Sequence, residues 1–249
     1  MRVSQDYIPM WRADAKLHTL WSVYNSLLYS HFAYPDYDMW MSYDQSARLI
    51  AVTRVFSGGP VYITDREPER TNVKLIKWIT LNDGEVIRVD EPALPMKDIL
   101  FRDPYNEAVL LKLASTVNEY PVIAIMNINR DGLRISEEFR LDNMPMSLSG
   151  QYVYYKVING EWGGIVEAGG SIKVELNELE VEVIVLAPLI NGNKTVIGIA
   201  EKVLPPYPLN LIKMNDRIVA RTRDEGTLLY VKNNTLSKTS VKAGDIIEV

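Results

Sequence analysis

The sequence predicts a chain of two unlike parts, an α/β stretch followed by an all-β region. Three observations carry this. In the first third, apolar residues recur at helical spacing, each time beside a short strand signal. Around Glu91-Pro92-Ala93-Leu94-Pro95 the character changes. Beyond that point, short apolar or alternating runs are separated by Gly, Asn, Asp and Pro, the pattern of antiparallel strands.

The elements follow in order. In WRADAKLHTLWSVYNSLLYS, the residues Leu17, Leu20, Trp21, Tyr24, Leu27 and Leu28 fall at three-four spacing, which predicts a helix packed through that stripe. HFAYPDYDMW is short, aromatic and interrupted by Pro35, as in a strand running into a loop. DQSARLIAVTRVFSGG places Ala47, Ile50, Ala51 and Val55 on one helical face and stops at Gly58 and Gly59, which tolerate the positive φ of a helix C-terminus. PVYIT is the next strand. ERTNVKLIKWIT buries Val73, Ile76 and Ile79 by the same spacing and ends at the turn Asn82-Asp83-Gly84. Alternating strand and helix with short connections means parallel pairing through helical crossovers. In the second part, AVLLKLAST, PVIAIMNI, QYVYYKV, SIKVEL, TVIGIA and TLLYVKN read as strands, and PPYP at 205–208 as a loop. Leu179, Val181, Val183 and Val185 alternate with Glu178, Glu180 and Glu182, which predicts a strand with one wet face. Three β/α units cannot close a barrel, and a parallel sheet must be covered on both faces, so further strands are expected upstream.

Composition narrows the chemistry. With 249 residues, 47% hydrophobic and 24% charged, the chain can build a real core. The net charge of -5, with Lys and Arg scattered among acids, offers no basic stripe for nucleic acid. Cysteine is absent and only His18 and His31 supply imidazole, so neither a metal nor another cofactor is expected. No apolar run nears the roughly 20 residues that cross a bilayer. The N-terminus has no basic-then-apolar leader. The expected setting is soluble and cytoplasmic, with no membrane partner.

Four features stand where predicted strands end: Arg2 with Asp6, the acids Asp36 and Asp38 in YPDYDMW, the turn Ser57-Gly58-Gly59-Pro60, and Asp65 after PVYIT. In parallel barrels, loops leaving the C-terminal strand ends carry catalysis. Each feature also has a plain reading. Asp6 fits a loop acid or helix cap, Asp36 an Asx turn after Pro35, and SGGP a helix stop. His18 and His31 read as structural. Trp11, Trp21, Tyr24, Tyr34, Tyr37 and Trp40 read first as core, although aromatic rings near carboxylates also grip sugars.

Residues from Arg2 to about Pro104 resemble the raffinose synthase and alkaline α-galactosidase family, part of glycoside hydrolase family 36. The matching words, in order, are RVSQD, YNSL, PDYDM, SGGPVYITD, LIKWITLNDGEVIR and DILFRDP. The resemblance implies the C-terminal part of a (β/α)8 barrel, from about the end of strand 6 to helix 8, in residues 1–95. An antiparallel β-sandwich in 96–249 follows. It also implies Asp6 as general acid/base of a retaining reaction, four residues after a sugar-binding Arg2. Many relatives have two adjacent acids here, where this chain has Gln5 then Asp6. Asp36 and Asp38 are implied as substrate-binding residues ending the seventh-strand region, one of them orienting Arg2 or the acid/base, and Asp65 as a substrate-side contact closing the eighth strand.

The nucleophile of such enzymes sits in a Lys-x-Asp word before this region, and no such word occurs here at a matching place. The resemblance thus implies a C-terminal fragment acting on α-galactosides, inactive until an upstream polypeptide completes the barrel. Hydrolysis is the leading expectation, with raffinose synthase-type transfer to sucrose as the close alternative. Apolar faces meant for missing neighbours would otherwise be hidden by homo-oligomerisation. A third reading is a non-catalytic carbohydrate-binding or assembly module, in which Tyr152, Tyr154, Tyr155 and Trp162 stack on sugars.

Overall fold

The fold was obtained as a computed structural model and is described for residues 1–214 and 217–249. Its first part has three helices, α1 (Arg12–Tyr29), α2 (Ala47–Phe56) and α3 (Val73–Trp78), and two short strands, β1 (Met39–Trp40) and β2 (Tyr62–Ile63). β1 and β2 pair in parallel, and Arg2 bridges Asp36 in parallel beside them. Three chain segments therefore run side by side in one direction, each followed by a loop and a helix. Gly58 takes φ +68° just after α2, as the helix-stop reading requires. A Cβ on Gly59 would lie 2.2 Å from the Pro35 carbonyl oxygen, so the turn needs glycine for close approach as well. α3 is shorter than its pattern suggests: Pro68–Arg70 forms a 3-10 turn, and the Asn72 side chain, accepting from the Leu75 amide, starts the helix.

The rest is β-structure. β3 (Leu94–Pro95), β4 (Leu111–Val117), β5 (Tyr120–Met126), β7 (Gln151–Lys156), β8 (Glu161–Glu167) and β10 (Val181–Pro188) form an antiparallel sheet in the order β3-β4-β5-β10-β7-β8. β6 (Ile135–Arg140) pairs with β9 (Ser171–Leu176). β11 (Lys194–Ile199), β14 (Gly226–Lys232) and β15 (Thr235–Val241) make a third sheet, and β12 (Leu209–Met214), β13 (Arg217–Thr222) and β16 (Ile246–Glu248) a fourth.

One face of the large sheet, through Leu113, Val122, Ala124, Val183 and Val185, joins α2 in a core continuous with the first part. The other face, through Ile123, Ile125, Ile184 and Leu186, packs on β6 and β9. β10 is thus covered on both sides, and the expected wet face is absent: even Glu182 is 1% exposed. The alternation was misleading because β10 lies at the centre of the sheet, between β5 and β7.

α1 also departs from its pattern. Its buried face is Asp14, Ala15, His18, Thr19, Ser22, Val23 and Ser26. The apolar stripe is left half-buried or open, with Trp21 at 39% and Leu28 at 59% exposure. Small polar side chains let the helix approach the parallel segments closely: Asn25 donates to the Val3 carbonyl, and Ser26 meets the Tyr37 hydroxyl. Tyr37 and Trp40 are core, whereas Trp11 and Tyr34 are more than half exposed.

Charged side chains stitch the two parts together. Lys16, nearly buried, donates to the Asn129 carbonyl at 2.6 Å and pairs with Glu178 at 2.6 Å, holding the Glu178 carboxyl below the usual range. Lys202 pairs with buried Asp224 at 2.7 Å and donates to the carbonyls of Thr80 and Lys77 just beyond and within the end of α3.

Candidate active site

The loop after the first parallel segment carries Asp6. It is pinned by three carboxylates from elsewhere in the chain: Asp38 accepts from the Tyr7 amide at 2.6 Å, Asp14 from Ile8 at 2.6 Å, and Asp44 from Met10 at 2.7 Å. Hydrogen bonds to charged acceptors are the stronger kind, so the loop is held firmly, including Met10 at φ +65°. Asp44 also takes the Tyr7 hydroxyl at 2.8 Å. Burial of that ring, with Asp44 beside it, drives the phenol pKa well above its ordinary value.

Arg2 joins this loop to the neighbouring segment. Its guanidinium lies 2.8 Å from Asp6 and 2.6 Å from Asp38. The Asp6 side chain is 92% exposed and that of Asp38 only 15%. Asp38 sits at φ +66°, a left-handed conformation that Asp tolerates, stabilised by its amide donating to the Asp36 carboxylate at 2.8 Å. Of the two acids in PDYDM, Asp38 therefore touches Arg2 through its side chain, while Asp36 shapes the turn that aims it.

Asp65 is placed differently. Its two oxygens accept from the Ser42 amide at 2.7 Å and hydroxyl at 2.5 Å, and the same hydroxyl accepts from the Asn72 amide at the start of α3. No hydrogen bond or ion pair joins Asp65 to Arg2, Asp6 or Asp38 among the described residues. Beside the first segment a cleft of about 350 Å³, lined by Arg2, Ser4, Gln5, Trp21, Asn25 and Tyr29, opens toward the exposed stripe of α1.

Two buried groups lie beneath the loop. His18 is fully buried, its Nε2 2.9 Å from the Ser4 hydroxyl and 3.1 Å from the Gln5 carbonyl oxygen. That carbonyl only accepts, so Nε2 carries the proton and Nδ1 is free to accept from Ser22. Burial, with Arg54 nearby, pushes the imidazole pKa down to about 3, so it is neutral at ordinary pH. Arg54 is also fully buried, 5.4 Å from the Tyr7 ring centre, and donates to Thr53 and to the Met39 carbonyl; its Nε has no partner among the described residues. Burial lowers its pKa to about 10, against the opposing pull of Tyr7 and Asp38, and it remains a cation under the acids.

Sequence reasoning missed Tyr7, Asp14, Asp44 and Arg54. Arg54 had a signal: of the two arginines in the helix ARLIAVTRVF, it is the one at helical spacing from Ala47, Ile50 and Ala51, on the apolar face. The loop acids had none, because their targets are backbone amides distant in sequence.

Residues 1–141 match the family model described as raffinose synthase or seed imbibition protein Sip1. A probable galactinol–sucrose galactosyltransferase 6 of Arabidopsis thaliana is 30% identical over 161 residues, 62% of this chain and 21% of that protein. The galactinol–sucrose galactosyltransferase of Pisum sativum is 38% identical over 117 residues, 46% of this chain and 14% of that one. The matched region spans about a fifth of the length of the first of these relatives and about a seventh of the second. In fold it is similar to a GH27 β-L-arabinopyranosidase from Geobacillus stearothermophilus, with TM-score 0.51 and 14% identity over 76% of this chain and 45% of that chain. A putative α-galactosidase/melibiase from Bacteroides fragilis gives TM-score 0.50 and 13% identity over 74% of this chain and 41% of that chain. With more than half of its residues on the family model, the chain belongs to the raffinose synthase family.

Proposed function

We propose that this chain supplies the acid/base side of a retaining site for α-galactosides. Asp6 gives its proton to the glycosidic oxygen as the bond to the anomeric carbon breaks. A carboxylate on a further segment attacks that carbon and forms a glycosyl ester. Asp6, now ionised, then takes the proton of the incoming water, whose oxygen displaces the ester. Arg2 holds Asp6 and reaches toward the sugar, Asp38 fixes Arg2 with Asp36 behind it, and Asp65 borders the substrate side.

The observation that carries this reading is the Arg2 bridge between Asp6 and Asp38 on a loop pinned at three amides. Such preorganisation is what a proton-transferring group requires. A proton donor also works best screened from water, and Asp6 is open. In this reading, residues 1–95 are the end of a (β/α)8 barrel and 96–249 a β-sandwich, and an upstream polypeptide brings the missing strands, the attacking carboxylate and the cover over Asp6. Support comes from the three parallel segments with exposed Tyr62 and Ile63 on one side and the Trp21 cleft on the other.

The test is co-production with a polypeptide carrying the preceding β/α units and assay of galactose release from an aryl α-galactoside. Activity of the pair, absent from either part and lost in Asp6→Asn, is expected; an active Asp6→Asn pair would overturn the assignment. The names of the curated relatives favour a second reading, in which sucrose replaces water as acceptor. Product analysis with sucrose present separates the two, a trisaccharide marking transfer and free galactose marking hydrolysis.

A further inference from the structure

The turn Ser57-Gly58-Gly59-Pro60 plays no part in the site above. It precedes β2, and Tyr34 precedes β1, so both lie at the strand ends opposite the loops of Asp6 and Asp65. There they form one wall of a cleft of about 430 Å³ whose other wall comes from Arg88, Asp90 and Tyr207. This size falls within the ordinary range of small-molecule pockets.

The chemistry of the walls is specific. The Tyr34 ring rests on Gly58, where a Cβ would come within 3.3 Å of it, and is 51% exposed. The Tyr207 hydroxyl is taken up by Glu85 at 2.6 Å, which leaves its ring as the lining. Arg88 is exposed and has no hydrogen bond or ion pair among the described residues. Asp90 accepts from the Thr116 hydroxyl and the Asn118 amide, one bond per oxygen, so each oxygen keeps a lone pair. The cleft thus offers two aromatic rings, a fork of donors and a carboxylate acceptor, and Arg88 and Asp90 cancel in charge. An anion would meet Asp90 and a cation Arg88. A neutral polyhydroxylated ring can stack on tyrosine, accept from the guanidinium and donate to the carboxylate at once.

We propose that this cleft is a second saccharide site, separate from the Asp6 loop. It holds a neutral sugar ring against Tyr34 through Arg88 and Asp90, and it needs no upstream polypeptide.

The test is nuclear magnetic resonance of the full chain, titrated separately with melibiose and sucrose. The amides of Gly58, Gly59 and Val89 are expected to shift saturably at millimolar sugar. Tyr34→Ala and Arg88→Ala are each expected to weaken binding by about tenfold, an ordinary loss for a stacking or charged contact. Asp6→Asn is expected to change nothing here, so failure of the acid/base assignment leaves this result intact. Should one variant lose its dispersed spectrum, the other and Arg88→Gln decide. The proposal is overturned by shifts that do not approach saturation by about 100 mM, because a dissociation constant above that value marks negligible affinity. It is equally overturned by saturable shifts that persist unweakened in the folded variants.

Discussion

Replacing Lys202 with Met tests how the two parts of the chain are held together. The Lys202 ammonium pairs with Asp224 at 2.7 Å and donates to the Thr80 carbonyl at 2.7 Å; the two side chains are 7% and 1% exposed. Without Lys202, Asp224 keeps, among the described residues, the amides of Asn82 and Glu225 and becomes an uncompensated buried charge. Breaking a buried pair from one side costs about 3–5 kcal/mol, which in a chain of this size corresponds to a fall in Tm of about 10 °C. The double variant Lys202→Met/Asp224→Asn removes the stranded charge while keeping an oxygen for the Asn82 amide, and should recover roughly half of that loss. Differential scanning fluorimetry or calorimetry at neutral pH reads both. A Tm change of less than about 2 °C for Lys202→Met, or a double variant no better than the single, would refute the claim that this pair ties α3 to the third sheet.

Three further outcomes follow from buried or pinned groups. Burial raises the Glu182 pKa above 4.5, so the folded form holds its proton longer than the unfolded chain. Stability from this group is full below about pH 4.5 and is lost as pH rises through the folded value. Glu182→Gln should therefore raise Tm at pH 7 and leave it unchanged near pH 4, and equal gains at both would contradict the argument. His18 is shifted the other way, from 6.5 to about 3, so its contribution is present above pH 6.5 and declines as pH falls toward 3, by at most about 1.4 kcal/mol per pH unit. Its ring resonances should stay at neutral positions from pH 7.5 to about 4.5; titration near pH 6.5 would show that the imidazole is not enclosed. Asp38→Ala removes the acceptor of the Tyr7 amide and one partner of Arg2, and should speed hydrogen exchange at Tyr7 by ten- to a hundredfold, equivalent to about 2 kcal/mol. Unchanged protection there would mean that Asp14 and Asp44 suffice to hold the loop.

How much of this was legible in the sequence depended on whether neighbours or distant contacts decided it. α2 and its glycine stop were readable because Ile50, Ala51 and Val55 face a core that does cover them. α1 was readable as a helix but not in its orientation: its apolar stripe promised burial, and the fold buried the serines instead. Periodicity reports which face could be buried, and only the available partner decides which one is. Glu182 shows the same limit, since central position in a sheet outweighs the preference of one carboxylate for water. β6, β8, β12, β13, β15 and β16 went unread. β6 and β15, with the sequences ISEEFR and TLSKTSV, carry mostly polar faces and little apolar signal. At the candidate site, Arg2 and Asp6 of RVSQD meet Asp38 of PDYDM through the Arg2 guanidinium. Nothing in either word separates Asp38 from Asp36; that distinction comes from a left-handed residue and one side-chain-to-backbone hydrogen bond.

The most direct test of the central claim is the leaving-group dependence of Asp6→Asn in the reconstituted pair. A proton donor matters most when the departing oxygen is a poor leaving group. The account predicts a rate loss of roughly a hundredfold or more with an alkyl α-galactoside and a much smaller loss in the galactosylation step with a nitrophenyl α-galactoside. Equal losses on both substrates, or none on either, would contradict Asp6 as the group that delivers the proton.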